Sequence, residues 1–393
     1  MLIVGAFLTV NKASAFPGWW ALLPTLGAFL IISAHPSAWV NRYLLGNRIL
    51  VAIGLISYPL YLWHWVILAF LHITNSGVPS LEHRILGVGA AFLLAGLTYW
   101  LIEKPIRKSS LNKWIVSILL GSTLIVAGIG LNTYLRDGLG FRLMQISPGL
   151  IGIKPDKAKD WRLDSCFLNL ESERFSEQCL EAKKPLIFLW GDSHAAALYP
   201  GFKHFQNEYG YGLAQFTTAA CKPLLGDAHS THKACQKIND ENLIRVKQSN
   251  PEFVVLHANW IDKNELEPLH VTIVALQKLG IKNIILIGPD PEWNDDLPRV
   301  VFSYYRKAHQ KPPLRMKDNN ALTAQVLDDE MRYFAELHQL IYISSLDILC
   351  NLDGCLTRTS ENSSDITALD NNHLTPQASI FEIKEVTQKL FHR

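Results

Sequence analysis

Apolar positions divide this chain in two. Over the first third they form long, nearly unbroken runs, and over the remainder they form short runs separated by polar stretches of helical period. The early runs are Gly18 to Ala34, Val51 to Ile73, Leu86 to Ile102 and Trp114 to Tyr134. Each approaches the ~20 residues that a helix needs to cross a bilayer, so the pattern predicts four spans. Residues 1–10 add an apolar stub too short to span. Ala13-Ser14-Ala15 mimics a signal-peptidase site, but no basic segment precedes it, and the stub reads as the tail of a helix that begins outside this chain. From Pro185 the pattern alternates. β-rich runs at Leu186–Trp190, Phe253–His257, Asn283–Gly288 and Ile341–Ser344 are interleaved with helical stretches at Ala234–Gln248, Val271–Leu279, Ala321–Leu340 and Pro376–Leu390. Such alternation predicts a parallel sheet covered by helices on both faces, an α/β/α three-layer sandwich. The expected organisation is a transmembrane region over 1–134, a linker and start of the exported part over 135–184, and the sandwich over 185–393.

Charge and cysteine placement orient the two parts. Residues 1–133 carry 8 Lys/Arg and 2 Asp/Glu, a net of +6, and the rest carries 29 and 33, a net of −4. Arg42 and Arg48 precede the second run, and Lys104, Arg107, Lys108 and Lys113 separate the third from the fourth. Basic loops stay in the cytoplasm, so everything after Tyr134 is expected outside it. All six cysteines fall there: Cys166, Cys179, Cys221, Cys235, Cys350 and Cys355. An even count in an α/β domain fits disulfides in an oxidising compartment, and sequential pairing is the expected connectivity. No CxxC or tight Cys/His cluster favours zinc, and no basic patch suggests nucleic acid.

The candidate chemistry lies in two stretches. Pro185 to Tyr199, PLIFLWGDSHAAALY, reads as a buried strand, a tight turn and a helix. A serine on that turn, Ser193, stands where open α/β sheets place ligands, and the N–H groups of the new helix favour an anion. Serine needs a base, and the base needs an orienting carboxylate. Asp370-Asn371-Asn372-His373 supplies both at a spacing that lets the carboxylate reach Nδ1 and leaves Nε2 for Ser193. Asn259, after the Phe253–His257 strand, is the candidate second oxyanion donor beside the Ser193 N–H. Gly191 and Asp192 complete the binding side. A third donor is sought around Thr217 to Cys221 or at Gly226. Other histidines, including His194, His204, His229, His232 and His257, are weaker bases on this reading, and His194 is expected to shape the turn.

Two resemblances follow from these residues. Ser57 to Trp65, SYPLYLWHW, and Ile102 to Arg107, IEKPIR, resemble late helices of the acyltransferase-3 family over about residues 18–108. That family moves acyl groups from cytoplasmic acyl-CoA to surface sugars. Its catalytic early helices have no counterpart here, so His64 and Glu103 are assigned no chemistry, and a separate protein supplying those helices is an expected partner. The blocks GDSH, HANW and DNNHL are similar to those of the SGNH hydrolase superfamily, over about residues 185–380, with a flavodoxin-like parallel sheet. Together these imply a bacterial inner-membrane protein with its C-terminal domain periplasmic or otherwise extracytoplasmic. The implied activity is O-acyl transfer to a cell-surface polysaccharide such as lipopolysaccharide or peptidoglycan, through an acyl group on Ser193. No tightly bound cofactor is implied, and acetyl-CoA is the ultimate donor. The alternative is a membrane-anchored esterase with the same triad.

Overall fold

The computed structural model describes residues 2–11, 18–75, 79–108, 113–136, 156–169, 174–226, 233–317, 319–361 and 365–391. Ala13-Ser14-Ala15, His229, His232 and most of the 135–155 connector lie outside the described residues. The chain forms two compact units, Met1–Gly130 and Leu131–Arg393.

The first unit is helical, with α1 (Leu2–Thr9), α2 (Leu22–Ser33), α3 (Arg48–Asn75), α4 (Leu81–Thr98), α5 (Lys104–Lys108) and α6 (Lys113–Leu135, crossing into the second unit). A π turn at Tyr99–Glu103 joins α4 to α5 and keeps them continuous. Trp63 on α3 donates its indole N–H to Thr98 on α4 at 2.9 Å. Gly87 on α4 lies against Leu71, where an added Cβ would come within 2.6 Å of a methyl group. Three helical stretches, Arg48–Thr74, Leu81–Lys108 and Lys113–Leu135, are long and apolar enough to cross a membrane. The Gly18–Ala34 run differs from expectation. It folds as one 3-10 turn and the 12-residue α2, about 18 Å long at 1.5 Å per residue and short of a ~30 Å hydrocarbon core. Phe29, Trp65, Phe70 and Leu124 are exposed, and α6 buries no residue.

The second unit is built on six parallel strands in the order β1-β3-β2-β4-β5-β7: β1 Phe167–Leu168, β2 Leu186–Gly191, β3 Gly212–Thr218, β4 Phe253–His257, β5 Asn283–Ile287 and β7 Ile341–Ile343. Setting aside the edge strand β1, this is the flavodoxin-like order. Strand β3 and the edge strand β1 were not among the expected strands; β1 lies in the segment read as linker. Successive side chains of a strand point to opposite faces. Phe188, Trp190, Val254, Leu256 and Ile284 therefore pack on one side, against α9 (Lys233–Ser249), α10 (Leu266–Lys278) and α12 (Ala321–Leu337). Ile187, Leu189, Val255 and Ile285 pack on the other, against α8 (Ser193–Tyr209) and α14 (Pro376–Phe391). Gly201 lets α8 and α14 touch: its N–H donates to Ser379 Oγ at 2.9 Å, and a Cβ there would come 2.4 Å from the Ser379 carbonyl.

Helix α7 (Lys157–Asp160) precedes the sheet, and α13 (Ser345–Leu349) follows β7. A small antiparallel sheet, β6 (Arg315–Met316), β9 (Gly354–Leu356) and β8 (Cys350–Asn351), packs near α11 (Leu297–Ala308) around Trp293, Val300, Cys355 and Ile366. The disulfides are sequential, as expected: Cys166–Cys179, Cys221–Cys235 and Cys350–Cys355. The last closes the β8–β9 hairpin through Asp353-Gly354, with Gly354 at φ +116°.

Candidate active site

The sheet reverses its strand order at β2, since β3 lies on one side of it and β4 on the other. Crevices at such switch points hold ligands. Gly191 ends β2 opposite His257, and a Cβ on it would meet the His257 carbonyl oxygen at 1.7 Å. Only glycine lets the two strands stay paired there. Asp192 follows as the N-cap of α8. Its Oδ1 accepts from the His194 N–H at 2.9 Å, and its Oδ2 accepts from the Asn259 N–H at 3.0 Å. One carboxylate thus fixes both the helix start and the loop after β4. Ser193 is the first residue of α8, half-buried at the rim.

His373 comes from the other end of the domain. The Leu369 N–H donates to the His373 carbonyl at 2.8 Å, closing a tight loop before α14. Within it Asp370 Oδ1 accepts the backbone N–H groups of Asn372 (3.0 Å) and His373 (2.8 Å). That turn folds the imidazole back so that Nδ1 meets Asp370 Oδ2 at 2.8 Å. Nε2 then lies 2.8 Å from Ser193 Oγ. Burial alone would raise the Asp370 carboxyl's pKa. Hydrogen bonds and charge from His373, with the two backbone N–H groups, outweigh it and hold the carboxyl well below the usual range. The imidazole packs against Trp161 and His194 in tilted contacts, with ring centroids 5.4 and 4.5 Å away.

The chain therefore brings Ser193, His373 and Asp370 together as nucleophile, base and orienter would be. The Ser193 N–H belongs to the first turn of α8, where N–H groups lack helical acceptors. Asn259 is held nearby by its backbone. Its side-chain amide makes no hydrogen bond among the described residues and lines an adjoining cavity. Asp192 corrects the expectation of a binding role: it is buried, both oxygens are engaged, and a carboxylate cannot donate to an oxyanion. Gly191 is placed by strand packing. The Thr217–Cys221 stretch is an unpromising source of a third donor, because the N–H groups of Thr217, Ala219 and Cys221 bond to Cys166, Leu168 and Thr218.

A buried ionic layer beneath the triad was not read from the sequence. Asp290 Oδ2 meets His194 Nδ1 at 2.8 Å and His257 Nε2 at 3.2 Å. Burial would lower the pKa of His257, but the Asp290 charge overrides it and raises it to about 9. Burial would raise that of Asp290, and His257 and His194 instead hold it far below its ordinary range. Glu382, fully buried with its Oε1 accepting from Ser345 at 2.7 Å, is pushed up to about 7 by burial and by the Asp290 charge. His194, His257 and Asp290 form the one group among the described residues compact enough to surround a metal, with donor atoms within 4.8 Å of one another. Here both imidazoles address a single carboxylate oxygen, the arrangement of a hydrogen-bonded ion cluster. The signal available for His194 was its place beside Ser193; Trp161, Asp290 and Glu382 had none.

Comparison with known proteins agrees with this fold. The profile of the family described as "SGNH domain (fused to AT3 domains)" matches residues 162–387. A Staphylococcus aureus (strain COL) protein, named only provisionally as an O-acetyltransferase, is 27% identical over 199 residues, 41% of this chain and 32% of that protein. The peptidoglycan O-acetyltransferase OatA of Listeria monocytogenes is 31% identical over 113 residues, 28% of this chain and 18% of its own. The chain thus spans about a third or less of the length of the curated relatives it matches. Among solved structures, the periplasmic domain of a Salmonella ser. Paratyphi A lipopolysaccharide acetyltransferase is 30% identical. It superposes with a TM-score of 0.50 over 54% of this chain and 85% of that one. A serine-histidine-aspartate row at the switch point of a flavodoxin-ordered sheet, inside a matched profile covering more than half of the chain, places this protein in the family of SGNH domains fused to AT3 domains.

Proposed function

We propose that this chain is a membrane-anchored O-acyltransferase that carries an acyl group, acetyl in the first instance, on Ser193 and delivers it to a hydroxyl of a cell-surface glycan. The observation that carries the reading is the Ser193–His373–Asp370 row, with 2.8 Å at each side-chain contact. Ser193 Oγ attacks the donor's carbonyl carbon while its proton passes to His373 Nε2, and Asp370 steadies the imidazolium. The oxyanion is received by the Ser193 N–H and the Asn259 amide. His373 then protonates the leaving group; in the second half it takes the proton of the sugar hydroxyl that attacks the acyl-serine and gives it to Ser193 Oγ as the acyl–serine bond breaks and the acylated sugar departs. The relatives named as peptidoglycan and lipopolysaccharide acetyltransferases support a glycan acceptor.

In this reading the three long apolar helices span a bacterial inner membrane, and acetyl-CoA on the cytoplasmic side is the ultimate donor. The basic residues at Arg42 and Arg48 and at Lys104 to Lys108, with three disulfides in the second unit, support an extracytoplasmic sandwich. Hydrolysis is the second reading, favoured by the 41% exposure of the Asp370 side chain, which leaves the row open to water. The test is trapping of acyl-Ser193 by mass spectrometry after a p-nitrophenyl acetate pulse, followed by an oligosaccharide chase. Transfer predicts acetylated sugar, hydrolysis predicts free acetate, and label that persists in Ser193→Ala refutes both.

A further inference from the structure

Beside the triad the domain has a cleft that the acyl-transfer row does not use. One part, of about 240 Å³, is lined by Asn259, Asp290, Glu292, Asn320 and Asn372 among others. The next, of about 490 Å³, shares Glu292 and Asn320 and adds Asn371. Its inner end reaches the catalytic rim from two sides. Asn372 immediately precedes His373, and the Asn259 backbone is tied to Asp192, the neighbour of Ser193.

The cleft is built rather than incidental. The loop after β5 is pinned to the His373 loop by the Trp293 N–H on the Asn371 carbonyl (2.7 Å) and the Leu297 N–H on the Asp370 carbonyl (3.0 Å). Glu292 is held at both oxygens: Asn371 donates to Oε1 and Asn320 to Oε2, each at 2.9 Å. Asn320 also accepts the Glu292 N–H at 3.1 Å. A carboxylate fixed in this way keeps a lone pair on each oxygen directed outward for a further donor. At the inner part, the Asp290 side chain is 2% exposed, and its Oδ1 has no partner among the described residues.

The walls offer acceptors and amides, and among the described residues no Lys or Arg lines either part. Asp295 and Asp296 add negative charge at the outer end, where Arg299 answers them at 3.3 and 3.5 Å. We infer that this cleft is the acceptor subsite, that it takes a neutral, hydroxyl-rich sugar, and that Glu292 sets its preference against carboxylated sugars. Hydroxyl groups donate to Glu292 and accept from one of the two amide N–H groups of Asn259, the other being left for the oxyanion, whereas a carboxylated sugar brings like charge against Glu292. The inference rests on the acyltransferase reading and adds the acceptor's chemical class.

The test uses the full chain in detergent micelles, p-nitrophenyl acetate as donor, and two acceptors of matched length, a neutral oligosaccharide and a uronic-acid oligosaccharide. The readout is the ratio of acetyl transferred to each, taken within each variant so that any general loss cancels. We expect a neutral preference of tenfold or more in the parent, a ratio within about threefold of one in Glu292→Gln, and reversal in Glu292→Lys. Binding of the neutral oligosaccharide to a Ser193→Ala chain by calorimetry, with the uronic-acid oligosaccharide binding at least tenfold more weakly, reports on the subsite without chemistry. Equal transfer to both acceptors, or ratios unmoved by either Glu292 variant, overturns the subsite alone. Nitrophenol release without transfer to any acceptor, together with intact binding of the neutral oligosaccharide, overturns the transferase reading and leaves the subsite. Failure of both transfer and binding overturns the subsite as well.

Discussion

Replacing Asp370 by Asn changes one charge and almost no volume, and so isolates what the carboxylate does. Asp370 accepts three N–H groups, two from the backbone of its own loop and one from His373 Nδ1. An asparagine carbonyl can keep the two backbone bonds, so the loop should hold its shape. The NH₂ group then faces Nδ1, which must turn into an acceptor. The imidazole proton moves to Nε2, the atom 2.8 Å from Ser193 Oγ, and the base is lost. In a serine triad of this logic, the exchange lowers turnover by about 10⁴, or about 5 kcal/mol at roughly 1.4 kcal/mol per decade. We therefore expect a fall of about 10³ to 10⁴ in kcat for p-nitrophenyl acetate cleavage, with KM within about threefold. Stability gives a second check with a fixed sign. The carboxyl is depressed in the folded state, so its contribution is present above its ordinary pKa near 3.8 and is lost as pH falls. The melting-temperature gap between parent and variant should be constant from pH 7 down to about pH 4, narrow only below that, and still be open at pH 3, because the folded carboxyl holds its charge well below its ordinary pKa. Turnover above a tenth of the parent's, in a folded Asp370→Asn chain, would refute the tautomer argument.

Three further outcomes follow from the packing. His257 is raised to about 9 and Glu382 to about 7, so both contribute stability that is full at low pH and fades as pH rises through those values. The melting temperature should fall between about pH 4.5 and 9, and Glu382→Gln should flatten the part of that fall below about pH 7; a curve unchanged by the substitution contradicts it. Gly191→Ala forces a Cβ into the His257 carbonyl and should cost well over the ~1–3 kcal/mol typical of overpacking. A melting temperature within about 2 °C of the parent would show that the strands can yield. Replacing Cys221 and Cys235 together by Ser opens a loop of sequence separation 14 and should cost about 3 kcal/mol, read as a drop of roughly 6–12 °C. No shift beyond about 2 °C would argue that the pair adds nothing in solution.

Much of the site was legible because its residues sit at local signals. Ser193 follows a buried run and a Gly-Asp turn, and Asp370 and His373 lie three apart, so a turn alone can join them. The central strands showed as apolar runs for the same reason: a strand covered on both faces has no polar side to break its pattern. Strand β3 was missed because Gln215 and the threonines of GLAQFTT interrupt that run, although all seven residues are buried. Gln215 donates its amide N–H groups to the Trp161 carbonyl and the Thr217 hydroxyl, a partnership visible only in space. The Gly18–Ala34 run was overread because hydropathy counts apolar residues and takes no account of where the helix starts and stops.

By itself the sequence determined the two-part plan, the sandwich, the disulfide-bearing half and the three residues of the row, since each depends on period, composition or short spacing. The tertiary structure decided what lies around that row: Trp161 and His194 packed against the imidazole, Asp290 between two histidines, Asp192 as a strut rather than a ligand, and Glu292 clasped by two asparagines. These groups come from segments tens to more than two hundred residues apart. Their roles depend on which side chains the sheet order brings to one rim, and no local pattern in a chain encodes that.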